Sequence, residues 1–142
     1  MTTARDIMTD EAECARTDET LTDAARKMRD LGVGALPICG DDDRLKGVIT
    51  DRDIVVRCVA EGADPTSTRV SELAEGKPVT IGADDPIDEA LRTMIEYGVR
   101  RLPVIDGDRL VGMVSQADVA RETSPEQAGD LVAALSRAPD NN

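Results

Sequence analysis

The chain has no histidine, no tryptophan and no phenylalanine, and Tyr97 is its only aromatic ring. Without histidine, the commonest general base and the commonest zinc ligand are missing. With a single ring there is no platform on which the bases of single-stranded nucleic acid could stack. Positive charge is scarce as well. Seventeen Lys and Arg against 29 Asp and Glu leave a net charge of −12, a field that repels a phosphate backbone, so no nucleic-acid partner is expected. The three cysteines form no CxxC pair, which excludes a zinc ribbon or a thioredoxin-type motif. No apolar run approaches the roughly 18 residues of a membrane span. The first 13 residues are charged within five positions and lack the apolar stretch of a signal peptide. A soluble, acidic, cytoplasmic protein is expected, with no membrane partner. No triad, P-loop or metal cluster is present, so no catalysis and no metal are expected.

What remains is 40% hydrophobic, a core of Val, Ile, Leu, Met and Ala. It is laid out twice. Thr20 to Ile38, "TLTDAARKMRDLGVGALPI", lies over Pro86 to Val104, "PIDEALRTMIEYGVRRLPV", at an offset of 66 residues. Past the following loop the offset falls to 65, and "GVITDRD" from Gly47 lies over "GMVSQAD" from Gly112. A one-residue slip is best tolerated in a loop of this kind.

Each copy reads as β-α-β-β-α. In the first, a short strand spans Cys14 to Arg16. Leu21, Ala24, Ala25, Met28 and Leu31 then recur at helical spacing, and Gly32 stops the helix. "ALPIC" and "RLKGVIT" flank the turn-rich "GDDD" as a hairpin, and a helix starts near Asp51. The second copy repeats this with "PVTI", a helix from Ile87 to Tyr97, "RRLPVID", "RLVGMVS" and a helix from Gln116. Ser124 and Pro125 open a last amphipathic helix, followed by a disordered tail. A unit of roughly 60 residues is marginal alone, so the copies are expected to pack together. The apolar band of Ile54, Val55, Val56 and Val59 is wider than one surface helix needs. Either a second subunit covers it or it is sandwiched within the monomer.

The repeated end of the hairpin carries a [ST]-x-x-D run, Thr50 with Asp53 and Ser115 with Asp118. Read structurally, it is a capping box that satisfies the first turn of the next helix. Read functionally, a hydroxyl and a carboxylate three residues apart suit the two adjacent hydroxyls of a ribose. The copies differ just before the hairpin, where Arg100 and Arg101 stand in place of Gly34 and Ala35. Neighbours on a strand face opposite ways, so one guanidinium turns toward an apolar face. It wants a bidentate anion there, either a phosphate or one of the many carboxylates.

The duplicated unit, with "LPI" and "LPV" on its second strand and G-h-h-[ST]-x-x-D closing its third, resembles the CBS domain, named after the regulatory part of cystathionine β-synthase. The resemblance covers about residues 3–122, and is nearest to stand-alone CBS pairs of the hypoxic-response or general-stress kind. It implies CBS domains at about 3–61 and 67–122, with 123–142 a C-terminal helix and flexible tail. The implied fold is α/β, two pseudo-symmetric units packed sheet to sheet as one module with clefts between them. Such clefts bind AMP, ADP, ATP or S-adenosylmethionine as regulatory ligands, with no required cofactor. By resemblance Thr50, Asp53, Ser115 and Asp118 hold ribose, and Arg100 and Arg101 reach phosphate. The Ser115/Asp118 cleft is expected to favour a phosphorylated adenosine. The Thr50/Asp53 cleft is expected to be weak, empty or to take an uncharged ligand. A homodimer through helices including Ile54, Val55 and Val59 follows too, with an unknown protein partner downstream. The expectation is a non-enzymatic sensor. The alternative is a stress-response interaction protein with degenerate sites.

Cys14 by the first strand and Cys39 at the end of the second are candidates for a redox pair. Packed, reduced thiols suit a cytoplasm, whereas a bridge would make the first copy redox-responsive. Cys58 falls on the apolar helix, in core or interface.

Overall fold

The computed structural model describes residues 1–10, 13–74 and 78–138. The expected disordered tail falls beyond Ala138, outside the described residues. Contacts divide the chain into two units. Among the described residues, the first starts at Glu13 and holds the first repeat and the linker; the second joins the N-terminal residues to Val79–Ala138.

In the first unit, β2 (Ala15–Arg16), α2 (Leu21–Leu31), β3 (Ala35–Cys39), β4 (Leu45–Thr50) and α3 (Asp51–Ile54) follow the expected order. The sheet order is β2-β3-β4, β2 parallel and β4 antiparallel to the central strand. Thr20 caps α2 by accepting from Asp23 N–H, while the Asp23 carboxylate accepts from Thr20 N–H. The bond from the Thr20 N–H holds the Asp23 carboxyl below its usual range. Gly32 ends the helix at φ 68°, a left-handed conformation that costs glycine nothing. Leu21, Ala24 and Met28 then face Leu36, Ile38 and Ile49 of the sheet in one apolar cluster.

The second unit repeats the plan with β5 (Ile81–Gly82), α4 (Ile87–Tyr97), β6 (Arg101–Asp106), β7 (Arg109–Ser115) and α5 (Gln116–Glu122). It adds α6 (Pro125–Ser136), capped by Ser124 as expected, and a fourth strand, β1 (Thr9–Asp10). Its sheet order is β1-β7-β6-β5. Leu131 and Leu135 of α6 are buried in the same cluster as Ala90, Leu91, Met94 and Val119.

Two features depart from the local reading. After Ile54 the expected regular helix widens into a π turn over Val55–Val59, where a β-branched run crowds a tight helix. The turn buries Cys58 and leaves Val55 and Val59 each 57% exposed. The second concerns the turns that precede the repeats. Helix α1 (Ala4–Ile7) lies 66 positions before the 3-10 turn Val70–Leu73, and each is bonded to the other repeat. Ala4 N–H donates to Asp85 O and Arg5 N–H to Ala83 O; Val70 N–H donates to Glu19 O and Ser71 N–H to Thr17 O. These are the same bonds at the same offset. Residues 3–8 therefore complete the second unit, whereas Val70 and Leu73 fill the core of the first. The compact units are cut differently from the sequence repeats.

Candidate functional site

Both [ST]-x-x-D runs are built as capping boxes. Thr50 Oγ1 accepts from Asp53 N–H at 3.1 Å, and Asp53 Oδ2 accepts from Thr50 N–H at 2.9 Å. Ser115 and Asp118 repeat this at 3.2 and 2.8 Å. The sequence dictates this locally: an extended residue with a short hydroxyl ends the strand, and a carboxylate three positions on faces the first turn. The box uses one carboxylate oxygen and one lone pair of the hydroxyl, leaving each hydroxyl its proton to donate. Thr50 is 3% exposed, and its loss leaves the part-buried Asp53 N–H unmet. Thr50→Ala is expected to cost up to about 2 kcal/mol and Ser115→Ala about 1 kcal/mol, read from urea unfolding. Two unchanged midpoints would show that the boxes hold neither helix start.

The second carboxylate oxygen separates the copies. Asp118 Oδ1 pairs with Arg121, three residues along α5. The corresponding place after Asp53 is Val56, and Asp53 makes no ion pair among the described residues.

The two arginines separate as well. In β6, Arg101 stands directly across from Ser115 of β7, and residues opposite one another in an antiparallel pair share a face of the sheet. Arg101, Ser115 and the box carboxylate of Asp118 thus gather at one end of the hairpin. In the first unit the same register sets Ala35 across from Thr50, so that end carries no cation on β3. Arg100 is part-buried and donates to Leu135 O at 2.8 Å, holding the last turn of α6. A cation at a helix C-terminus is favoured by the carbonyls that have no helical partner there. Sequence reasoning missed this role because α6 lies 35 residues further along.

Cys14 and Cys39 form a disulfide across β2 and β3, in place of packed thiols. Cys58 is the buried free thiol, against Ala63 O. Among the described residues no helix is long and apolar enough to cross a membrane.

Several known proteins resemble the chain. Hypoxic response protein 1 of Mycobacterium tuberculosis is 52% identical over 128 residues, covering 90% of this chain and 89% of that protein. The crystal structure of hypoxic response protein I with two coordinated zinc ions superposes with a TM-score of 0.79 at 51% identity, covering 87% of this chain and all of that one. The CBS domain pair of protein MJ0100, solved in complex with 5′-methylthioadenosine and S-adenosyl-L-methionine, superposes with a TM-score of 0.76 at 26% identity, covering 86% of this chain and 95% of that one. The sequence has no histidine, and among the described residues no group of three or more Cys, Asp or Glu is placed to hold a metal ion. The family model of the CBS domain matches twice, at residues 4–59 and 70–124, once over each β-α-β-β-α repeat. The chain belongs to the CBS-domain family as a tandem pair.

Proposed function

We propose that this CBS pair is a regulatory module, not an enzyme, that binds an adenosine-type ligand such as AMP, ADP, ATP or S-adenosylmethionine. The observation that carries the reading is the placement of Arg101 across from Ser115, beside the Asp118 box. A guanidinium there meets a phosphate, while hydroxyl and carboxylate meet ribose. The adenosine compounds in MJ0100 support the ligand class. The Thr50 end, with Ala35 opposite, suits an uncharged ligand; there Asp53 keeps an oxygen for ribose. Arg100 supports the site from behind by holding α6. The exposed Val55 and Val59, with Ile54 beside them, are the surface through which two copies associate. Occupancy is reported by favouring one arrangement of that surface over another.

Calorimetry against AMP, ADP, ATP and S-adenosylmethionine tests this. Arg101→Ala is expected to weaken a phosphorylated ligand roughly 10- to 100-fold, the worth of a charged hydrogen bond. Arg100→Ala is expected to leave that affinity unchanged within about twofold, while lowering the unfolding midpoint by loosening α6. Equal losses of affinity from both would return Arg100 to the site.

The disulfide favours a second reading, a stress-response interaction protein that is redox-responsive through Cys14 and Cys39. The name of its hypoxic-response relative agrees with a stress role. No heat and no thermal stabilisation with any of the four ligands would decide for it.

A further inference from the structure

The bridge of the first unit joins two unlike sulfurs. Cys14 stands just ahead of the edge strand β2 and is partly exposed, whereas Cys39, on the central strand β3, is 1% exposed. Cys39 lies between Arg16 of β2 and Leu45 of β4. The second repeat shows the same asymmetry without sulfur. Thr80, at the place of Cys14, is exposed, and Ile105, at the place of Cys39, is partly buried. A group attached at Cys14 therefore has solvent to extend into. One attached at Cys39 would have to enter a packed sheet.

The bridge is not all that holds β2. Lys27 donates to Cys14 O at 2.9 Å and pairs with Glu19 at 2.7 Å. Glu19 accepts from Arg16 N–H at 2.8 Å, and Thr17 N–H donates to Cys39 O at 3.1 Å. None of these bonds uses a sulfur, so the strand keeps polar anchors while the sulfurs react.

We propose that Cys14 is a thiol-exchange site, at which a low-molecular-weight thiolate attacks Cys14 Sγ and displaces Cys39. A new S–S bond joins the incoming sulfur to Cys14, and the Cys14–Cys39 bond breaks. Its electron pair leaves on Cys39 as a thiolate, which takes a proton from water. One disulfide replaces another, so no further oxidant or reductant is needed. The proposal rests on the redox reading above and adds which sulfur reacts, and with what. A thiolate approaches a sulfur from the side opposite the one it displaces. Beyond Cys14 that side is the edge of the sheet; beyond Cys39 it is β4. Burial disfavours the Cys39 thiolate and slows its departure, but access chooses the sulfur attacked. The released Cys39 stays beside Cys14. When free thiol is withdrawn it attacks Cys14, expels the adduct and restores the bridge.

The test treats the folded, oxidised full chain with excess reduced glutathione, followed by acid quench, unfolding, alkylation and peptide mass mapping. Glutathione is expected on Cys14 at least about tenfold more than on Cys39, which is recovered as the alkylated thiol. Cys58 serves as a blank, because a free thiol offers reduced glutathione no bond to exchange. In a second measurement, Cys39→Ser and Cys14→Ser each leave one bridge sulfur as a thiol. Mapped in the same way, Cys14 is expected to react with iodoacetamide at least about tenfold faster than Cys39. Glutathione shared equally, or held mainly by Cys39, would overturn the assignment and leave the redox reading standing. So would a bridge that opens with no adduct on Cys14, or equal reactivity of the two thiols. A bridge that glutathione opens only in urea would sink both the redox reading and the proposal.

Discussion

Reducing the Cys14–Cys39 disulfide is expected to lower the stability of the folded chain by about 3–4 kcal/mol, the loop-closure entropy of a bridge of this span. The cysteines are 25 residues apart and enclose α2. They join the edge strand β2 to the centre of its sheet, where only Ala15 and Arg16 pair with β3. Two residues of ladder hold a strand weakly, yet Ala15 is fully buried. Polar contacts help: Lys27 donates to Cys14 O and pairs with Glu19, and Arg16 reaches Gly40 O and Asp43. The second repeat provides an internal comparison, because Thr80 and Ile105 stand at the positions of Cys14 and Cys39. Its β5 pairs with β6 in the same parallel register without a bridge. Urea unfolding with and without reductant, alongside Cys14→Ser under both conditions, reads the effect. Cys58 is a thiol in either state and cancels. A midpoint that reductant leaves unmoved would mean that the noncovalent contacts of β2 suffice, and the redox reading would lose its basis.

Gly112→Ala is expected to cost about 2–3 kcal/mol, the penalty of forcing atoms into a packed site that cannot yield. A Cβ at Gly112 would lie 2.7 Å from the Thr9 carbonyl oxygen and 2.5 Å from Met8 Sδ. The thioether can move, but the carbonyl belongs to β1, whose residues pair with Met113 and Gly112. The methyl therefore pushes β1 off β7 and draws on α1, whose Ala4 is fully buried. Gly47 occupies the same place in the first copy of the motif. A Cβ there would meet Ile38 Cδ1 at 3.6 Å and Ala74 at 3.9 Å, ordinary contacts. Gly47→Ala is accordingly expected to fall within about 1 kcal/mol of the parent, because alanine also restricts the unfolded chain. Chemical unfolding of both variants decides. Equal effects would mean that β1 does not press on Gly112.

Much of each unit was legible because its signals are local or periodic. Leu21–Leu31 announced its helix by apolar spacing, its start by Thr20 and its end by Gly32. The hairpins announced themselves by short apolar runs around turn residues. The [ST]-x-x-D runs could be read as caps because a capping box lies within four residues. That the same residues form a candidate site was legible only in part. The arginine pair marked the second copy as different, but adjacent arginines carry no sign of which one reaches α6. Nor does the pattern distinguish Asp53 from Asp118 until Arg121 closes on the latter. The π turn escaped because "DIVVRCVA" has an apolar band whether its turns are regular or widened.

By itself, then, the sequence determined the repeat, the order of elements within it, the caps and the poverty of aromatic and basic groups. Those follow from composition and from interactions spanning a few residues. Only the tertiary structure decided that each repeat is completed by the turn preceding the other, that Cys14 bonds to Cys39, and that Arg100 holds α6 while Arg101 pairs in register with Ser115. Each of these pairs groups from different elements, in most cases tens of residues apart. Such a contact depends on where whole strands and helices come to rest, and no local spacing records that.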